Sequence, residues 1–105
     1  MNFSIDRDVL LNSLIHVQRG LPNKTPLPIL YAIKFEVFSD YLQLTSSNSD
    51  IAIQVLIDDK SLKVQRTGKV ALPGRYFIEI VRKINAQKIE VALQEERLLV
   101  IKADR

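Results

Sequence analysis

Hydrophobic and polar positions divide the chain into ten segments with two distinct periods. Met1, Phe3 and Ile5 alternate with Asn2 and Ser4, the period of a short strand with one buried face. Leu10, Leu11, Leu14 and Ile15 follow at helical spacing, which predicts a helix over residues 7–19 with Asp6 as its N-cap and Gly20 as a left-handed stop. Pro22, Pro26 and Pro28 then predict a stiff connecting loop over residues 21–28, because each proline fixes one backbone angle and removes one donor. Alternation returns over residues 29–38, 41–45 and 51–57, separated by turn residues around Ser39-Asp40 and Ser46 to Ser49, and predicts a three-stranded antiparallel meander. Shorter extended pieces are expected at residues 62–64 and 69–72. Pro73-Gly74 breaks that pattern, and Phe77, Ile80, Val81 and Ile84 predict a second helix over residues 74–84. Ile89, Val91 and Leu93, a turn at residues 94–96, and a last strand over residues 98–102 complete the order. The implied fold class is α+β, two helices on one side of a mainly antiparallel sheet, with no internal repeat in the sequence.

Composition narrows the function classes more than it selects one. A length of 105 residues suits one domain with a real core, and 47% hydrophobic with 26% charged residues fits a folded water-soluble chain. The absence of cysteine excludes disulfides and thiolate metal sites, and a cytoplasmic location is the simplest expectation, since the N-terminus MNFSIDRD has no export pattern. The chain ends at Ala103-Asp104-Arg105, directly after the last predicted strand, which reads as a domain cut before its end.

Little catalytic chemistry is on offer. His16 is the only histidine and has no ligand or triad partner at suitable spacing. The pairs Asp58-Asp59 and Glu95-Glu96 fall in predicted turns, where solvation alone explains them, and three glycines form no phosphate-cradling loop. The expectation is a non-catalytic protein without cofactor or metal. A rival enzyme reading would use Asp50 with Asp58-Asp59.

The helices carry the stronger signal. Asp8, Asn12, His16 and Arg19 form one polar stripe on the first helix, and Arg75, Glu79, Arg82 and Lys83 form its equivalent on the second. If both helices pack on one sheet face, the stripes point outward together, with Lys24 beside them, as a surface for a phosphate backbone. A net charge of +3 does not decide the matter. Any amphipathic surface helix has such a stripe, Arg82 and Lys83 also suit the negative end of a helix dipole, and no interleaved aromatics exist for base stacking. A stand-alone α+β module that binds a protein partner through its sheet edge remains the alternative.

Four stretches in order resemble one family across the whole chain. They are residues 1–17, with Phe3, Leu10-Leu11, Leu14 and Val17; Lys24-Thr25-Pro26-Leu27-Pro28-Ile29-Leu30; Leu42-Gln43-Leu44-Thr45 leading into Ser47-Asn48-Ser49-Asp50-Ile51-Ala52-Ile53; and Arg75-Tyr76-Phe77-Ile78-Glu79-Ile80-Val81. Together these resemble the N-terminal domain of the bacterial DNA polymerase III beta subunit, the sliding clamp. Lys24 stands where arginine is frequent, which keeps the charge but gives up bidentate geometry, and Pro73-Gly74 also departs from the usual pair.

The resemblance implies a DNA-clamp fold and a processivity role in replication, in a subunit of three similar domains paired head to tail as a ring around duplex DNA. Residues 1–105 would be the first domain, cut before its last strand, with the second and third domains absent. Lys24 and Arg75 match DNA-contacting positions of the family, and Arg82 joins them by helical spacing. Tyr76 and Arg97 are placed near the seam with the second clamp subunit. DNA polymerase and the clamp loader would be recruited through the domains absent here.

Overall fold

The computed structural model describes residues 1–21, 32–48, 50–94 and 98–104. The described elements run β1 (Asn2–Asp6), α1 (Arg7–Gln18), β2 (Ala32–Val37), β3 (Leu42–Ser47), β4 (Ala52–Ile57), β5 (Lys63–Arg66), β6 (Gly68–Pro73), α2 (Gly74–Lys83), β7 (Lys88–Gln94) and β8 (Leu98–Asp104). Both helices, the meander and the closing pair of strands therefore stand where the periodicity predicts them. The loop expected over residues 21–28 lies, after Leu21, outside the described residues, as do residues 29–31 of the long strand and residues 95–97 of the last turn.

The strands form two antiparallel sheets and not one, in the orders β5-β1-β7-β8 and β4-β3-β2-β6. Their connectivity repeats: a strand, a helix and then a meander, β1-α1-β2-β3-β4 followed by β6-α2-β7-β8. Each half lends its leading strand to the other half's sheet. β1 pairs with β7, placing Phe3 opposite Val91 and Ile5 opposite Ile89, while β6 pairs with β2, placing Leu72 opposite Ile33 and Val70 opposite Phe35. Alternation within a strand states which residues face the core but not which strand lies alongside, so this exchange is invisible in the local pattern.

The core lies between the helices and the two sheets. Phe3 and Ile5, Leu10, Leu14 and Val17, Ile33 and Phe35, Leu42 and Leu44, Phe77, Ile78 and Val81, and Ile89 and Val91 are all buried. α1 packs against β1 of one sheet and β3 and β4 of the other, and α2 packs against α1 and β6. The Phe35 and Phe77 rings meet edge to face at 5.3 Å and 84°, an arrangement favoured by the aromatic quadrupole that fixes α2 over β2. Phe38 and Tyr41 stack at 4.6 Å across the β2–β3 turn, where the Phe38 N–H donates to the Tyr41 carbonyl.

Helix ends must find partners for their last carbonyls, and both do so through residues remote in sequence. The Ser46 hydroxyl of β3 donates to the Val17 carbonyl, and Asn48 Nδ2 donates to the Gly20 carbonyl at 3.3 Å. At the end of α2, Arg7 donates from Nε to the Val81 carbonyl at 3.3 Å and from Nη2 to the Arg82 carbonyl at 2.6 Å. A guanidinium on these carbonyls also faces the negative end of the helix dipole. Because Arg7 opens α1 and reaches the end of α2, the helices run antiparallel.

Three local expectations change. Asp6 occupies the N-cap position of α1 but makes no side-chain cap, and its Oδ1 is buried without a hydrogen-bond partner among the described residues, while its backbone N–H donates to Ser61 Oγ at 3.2 Å. Gly20 is not a left-handed stop: the right-handed Arg19 is the C-cap, and Gly68 is the glycine with positive φ. Gly20 is required for a different reason, since a Cβ there would collide with Ser46 Oγ. Ile51, expected to begin the third strand of the meander, precedes β4 and is 52% exposed. Asn48 Oδ1 holds that turn by accepting from the N–H groups of Asp50 and Ile51 at 2.8 and 3.0 Å.

Two substitutions test this packing. Gly74 is buried at the start of α2, and a Cβ there would lie 2.8 Å from Ile33 Cδ1 and Cγ1 and 2.9 Å from Leu21 Cδ1. G74A should therefore lower stability by about 1–2 kcal/mol in urea unfolding, overpacking outweighing the usual helix preference for alanine. An unchanged midpoint would show that Ile33 and Leu21 yield freely. R7M keeps the alkyl packing and removes the bonds to Val81 and Arg82, so a loss of about 1–3 kcal/mol is expected, with R7K recovering part of it. The exposed pairing of Arg7 with Asp8 at 2.9 Å should add little, and D8N serves as the control.

Candidate nucleic-acid interface

The spacing of apolar residues in α2 sets what its outer face can present. Phe77, Ile78 and Val81 point into the core, which leaves Arg75, Tyr76, Glu79, Arg82 and Lys83 exposed. On α1 the buried set is Leu10, Leu14 and Val17, and Asp8, Asn12, His16 and Arg19 are exposed. Both polar stripes thus lie on the outside of one antiparallel helix pair, as helical periodicity requires once the apolar faces are buried.

The two stripes converge at one end. Arg19 and Gln18 from the end of α1, Leu21 just beyond it, and Arg75, Ile78, Glu79 and Arg82 from α2 line an open depression of about 650 Å³. Arg75 and Arg82, separated by two helical turns, are therefore brought together as expected, and Arg19 joins them. Arg82 Nη1 donates to Glu79 Oε1 at 2.9 Å, an i,i+3 pair with both side chains about half exposed. Arg19 makes no ion pair with any described residue. His16 is exposed on the same face and donates from Nδ1 to the Asn12 carbonyl at 2.7 Å. Lys24 and Arg97 lie outside the described residues.

Tyr76 belongs to a different surface. It is 70% exposed and borders an apolar depression of about 260 Å³ formed with Leu72, Phe77, Ile80, Leu99 and Ile101. That depression lies between α2 and β8, the edge strand of its sheet, with Leu98 59% exposed at the start of the same strand. Arg75 and Tyr76 are adjacent in sequence, yet the 100° step of the helix sends them to separate faces.

The carboxylates of the rival enzyme reading occupy turns. Asp59 accepts hydrogen bonds from the Ser61 hydroxyl and from its backbone N–H, the latter at 2.9 Å, and these hold its carboxyl below the usual aspartate range. A general acid needs the opposite shift. Asp50 and Asp58 are exposed, and among the described residues no group of three His, Cys, Asp or Glu could hold a metal ion. No described helix is long and apolar enough to cross a membrane.

Helical spacing places Arg19, Arg75 and Arg82 on polar stripes; the family resemblance singles out Arg75, spacing adds Arg82, and Arg19 stays unassigned to the site. The approach of Arg19 to α2 needs the antiparallel crossing of the helices. Sequence reasoning misses Arg7 entirely as the residue that holds the end of α2, because nothing in the sequence pairs position 7 with carbonyls beyond position 80.

Comparison with known proteins agrees with this architecture. A family model described as DNA polymerase III beta subunit, N-terminal domain, matches residues 1–105. The beta sliding clamp of Halalkalibacterium halodurans is 33% identical over 98% of this chain, which spans 28% of that relative; the beta sliding clamp of Bacillus subtilis is 31% identical over 100% of the chain and 29% of the relative. Among solved structures, the DNA polymerase sliding clamp from Bacillus subtilis is similar with a TM-score of 0.91 at 31% identity, over 100% of this chain and 29% of that one. The beta subunit from DNA polymerase of Streptococcus pyogenes is similar with a TM-score of 0.93 at 30% identity, over 100% and 28%. With a family model spanning its full length and the same fold in both solved clamps, this chain belongs to the DNA polymerase III beta subunit family, as an N-terminal domain.

Proposed function

We propose that this chain acts as the first domain of a replicative sliding clamp, a non-catalytic processivity factor that encircles duplex DNA and tethers DNA polymerase III to it. The observation that carries the reading is the convergence of Arg75 and Arg82 on the outer face of the helix pair, with Lys24 expected beside them. Exposed guanidinium groups on the outer face of a helix pair attract phosphates without reading base edges. A sliding protein requires that combination, because base readout would stop it at particular sequences.

In this reading the grip is topological. The domain pairs head to tail with a second clamp subunit, Tyr76 and Arg97 lie toward that seam, and the apolar depression beside β8 is part of the buried contact. Polymerase and clamp loader bind domains other than this one, no cofactor takes part, and the site of action is the cytoplasm, where the chromosome is. The same apolar depression and edge strand are what a stand-alone protein-interaction module would use. That second reading needs no basic helical face, so it predicts partner binding indifferent to charge reversal at Lys24 and Arg75.

A single domain cannot encircle DNA, and its affinity for a short duplex should be weak, with Kd about 10 μM or higher near physiological salt. Titration of a labelled duplex over a salt series should give a linear log–log plot, and R75A should flatten its slope by roughly 0.9, one phosphate contact. K24E with R75E should abolish binding measurable at low salt. Submicromolar affinity, or a slope indifferent to both changes, would remove the DNA-facing wall from the model of function.

A further inference from the structure

The depression at the arginine end of the helix pair contains a charge that a simple phosphate-binding wall would not include. Three arginines border it, Arg19, Arg75 and Arg82, and Glu79 lies among them with its carboxylate 2.9 Å from Arg82. Arg19 is the C-cap of α1 and the other three belong to α2, so the cluster exists only because the helices cross antiparallel.

We infer that this depression is a phosphate site of limited strength, in which Arg19 joins Arg75 and Arg82 in contacting backbone phosphate and Glu79 holds the affinity down by competing for Arg82. The inference rests on the DNA-contacting reading above and gives a role within it to two residues of the polar stripes, Arg19 and Glu79, that had none. The physical reason is direct. A phosphate approaching Arg82 must share a guanidinium already engaged by Glu79, and it meets the carboxylate's repulsion at short range. Arg19, with no ion pair among the described residues, offers its fork without that competition. Because Glu79 is about half exposed, water and salt damp its effect, so it moderates binding without abolishing it. A surface that must release each phosphate as it moves along the backbone benefits from such a limit.

The test uses the whole chain with a labelled duplex of random sequence, titrated at several low salt concentrations, comparing the unsubstituted protein with R75A, R19A and E79Q. Unfolding midpoints are measured alongside; all three side chains are exposed, so the fold should persist. Expected are weaker binding and a salt slope flatter by roughly 0.9 for R19A, and binding tighter by roughly two- to fivefold for E79Q, the range of an exposed ion pair. If R75A weakens binding while R19A and E79Q leave affinity and slope unchanged, the inference is wrong and the DNA-contacting reading stands. If E79Q weakens binding, Glu79 orients Arg82 and does not restrain it, which also overturns the inference. If the unsubstituted chain shows no salt-dependent binding, or R75A changes nothing either, the DNA-contacting reading falls and takes the inference with it.

Discussion

The exchange of leading strands is the constraint on which the rest of the molecule depends. β1 completes the sheet of the second half and β6 completes that of the first, so neither sheet can form from one half of the chain. The buried partners Phe3 with Val91 and Ile33 with Leu72 are far apart in sequence, and their pairing costs loop-closure entropy before it yields any burial. Folding should consequently be cooperative across the whole domain. The two helices, each following an exchanged strand directly, are carried into one shared core and forced into contact.

That contact determines the outer surface. Antiparallel packing brings Arg7 at the start of α1 to the end of α2, where it donates to the Arg82 carbonyl and adds a second donor to the Val81 carbonyl, which also accepts from the Ile84 N–H. At the other end the same packing brings Arg19 toward Arg75 and Arg82. Arg7 thereby holds the structure at one end, while Arg19, Arg75 and Arg82 border an open groove at the other with Glu79 among them. The electrostatics of the wall follow from how the helices cross more than from the net charge of the chain.

Separation of the two candidate surfaces has an equally simple origin. Arg75 and Tyr76 are neighbours in the first turn of α2, and the helical step turns one toward α1 and the other toward β8. A basic face and an apolar face can then coexist on one short helix without either diluting the other. Pro73-Gly74 makes this possible locally: the proline ends β6, and the buried glycine lets the first turn approach Ile33 and Leu21 closely.

Much of the fold was legible in the residues because alternation and helical spacing are local signals. They placed both helices to within a residue at each end, identified Phe3, Leu10, Leu14, Phe77 and Val81 as inward, and set Arg75 and Arg82 on an outer stripe. Family resemblance supplied what local pattern could not, a fold and a role. Cap chemistry misled at Asp6 and Gly20, because both signals name a residue type suited to an end without stating what tertiary neighbour will arrive there. Division into two sheets, the exchange of β1 and β6, the hold of Arg7 on α2 and the gathering of Arg19 with Glu79 and Arg82 were decided only by the tertiary structure. Each depends on which remote segments meet, and a period of two or 3.6 residues specifies the face a side chain takes, not the partner waiting on that face.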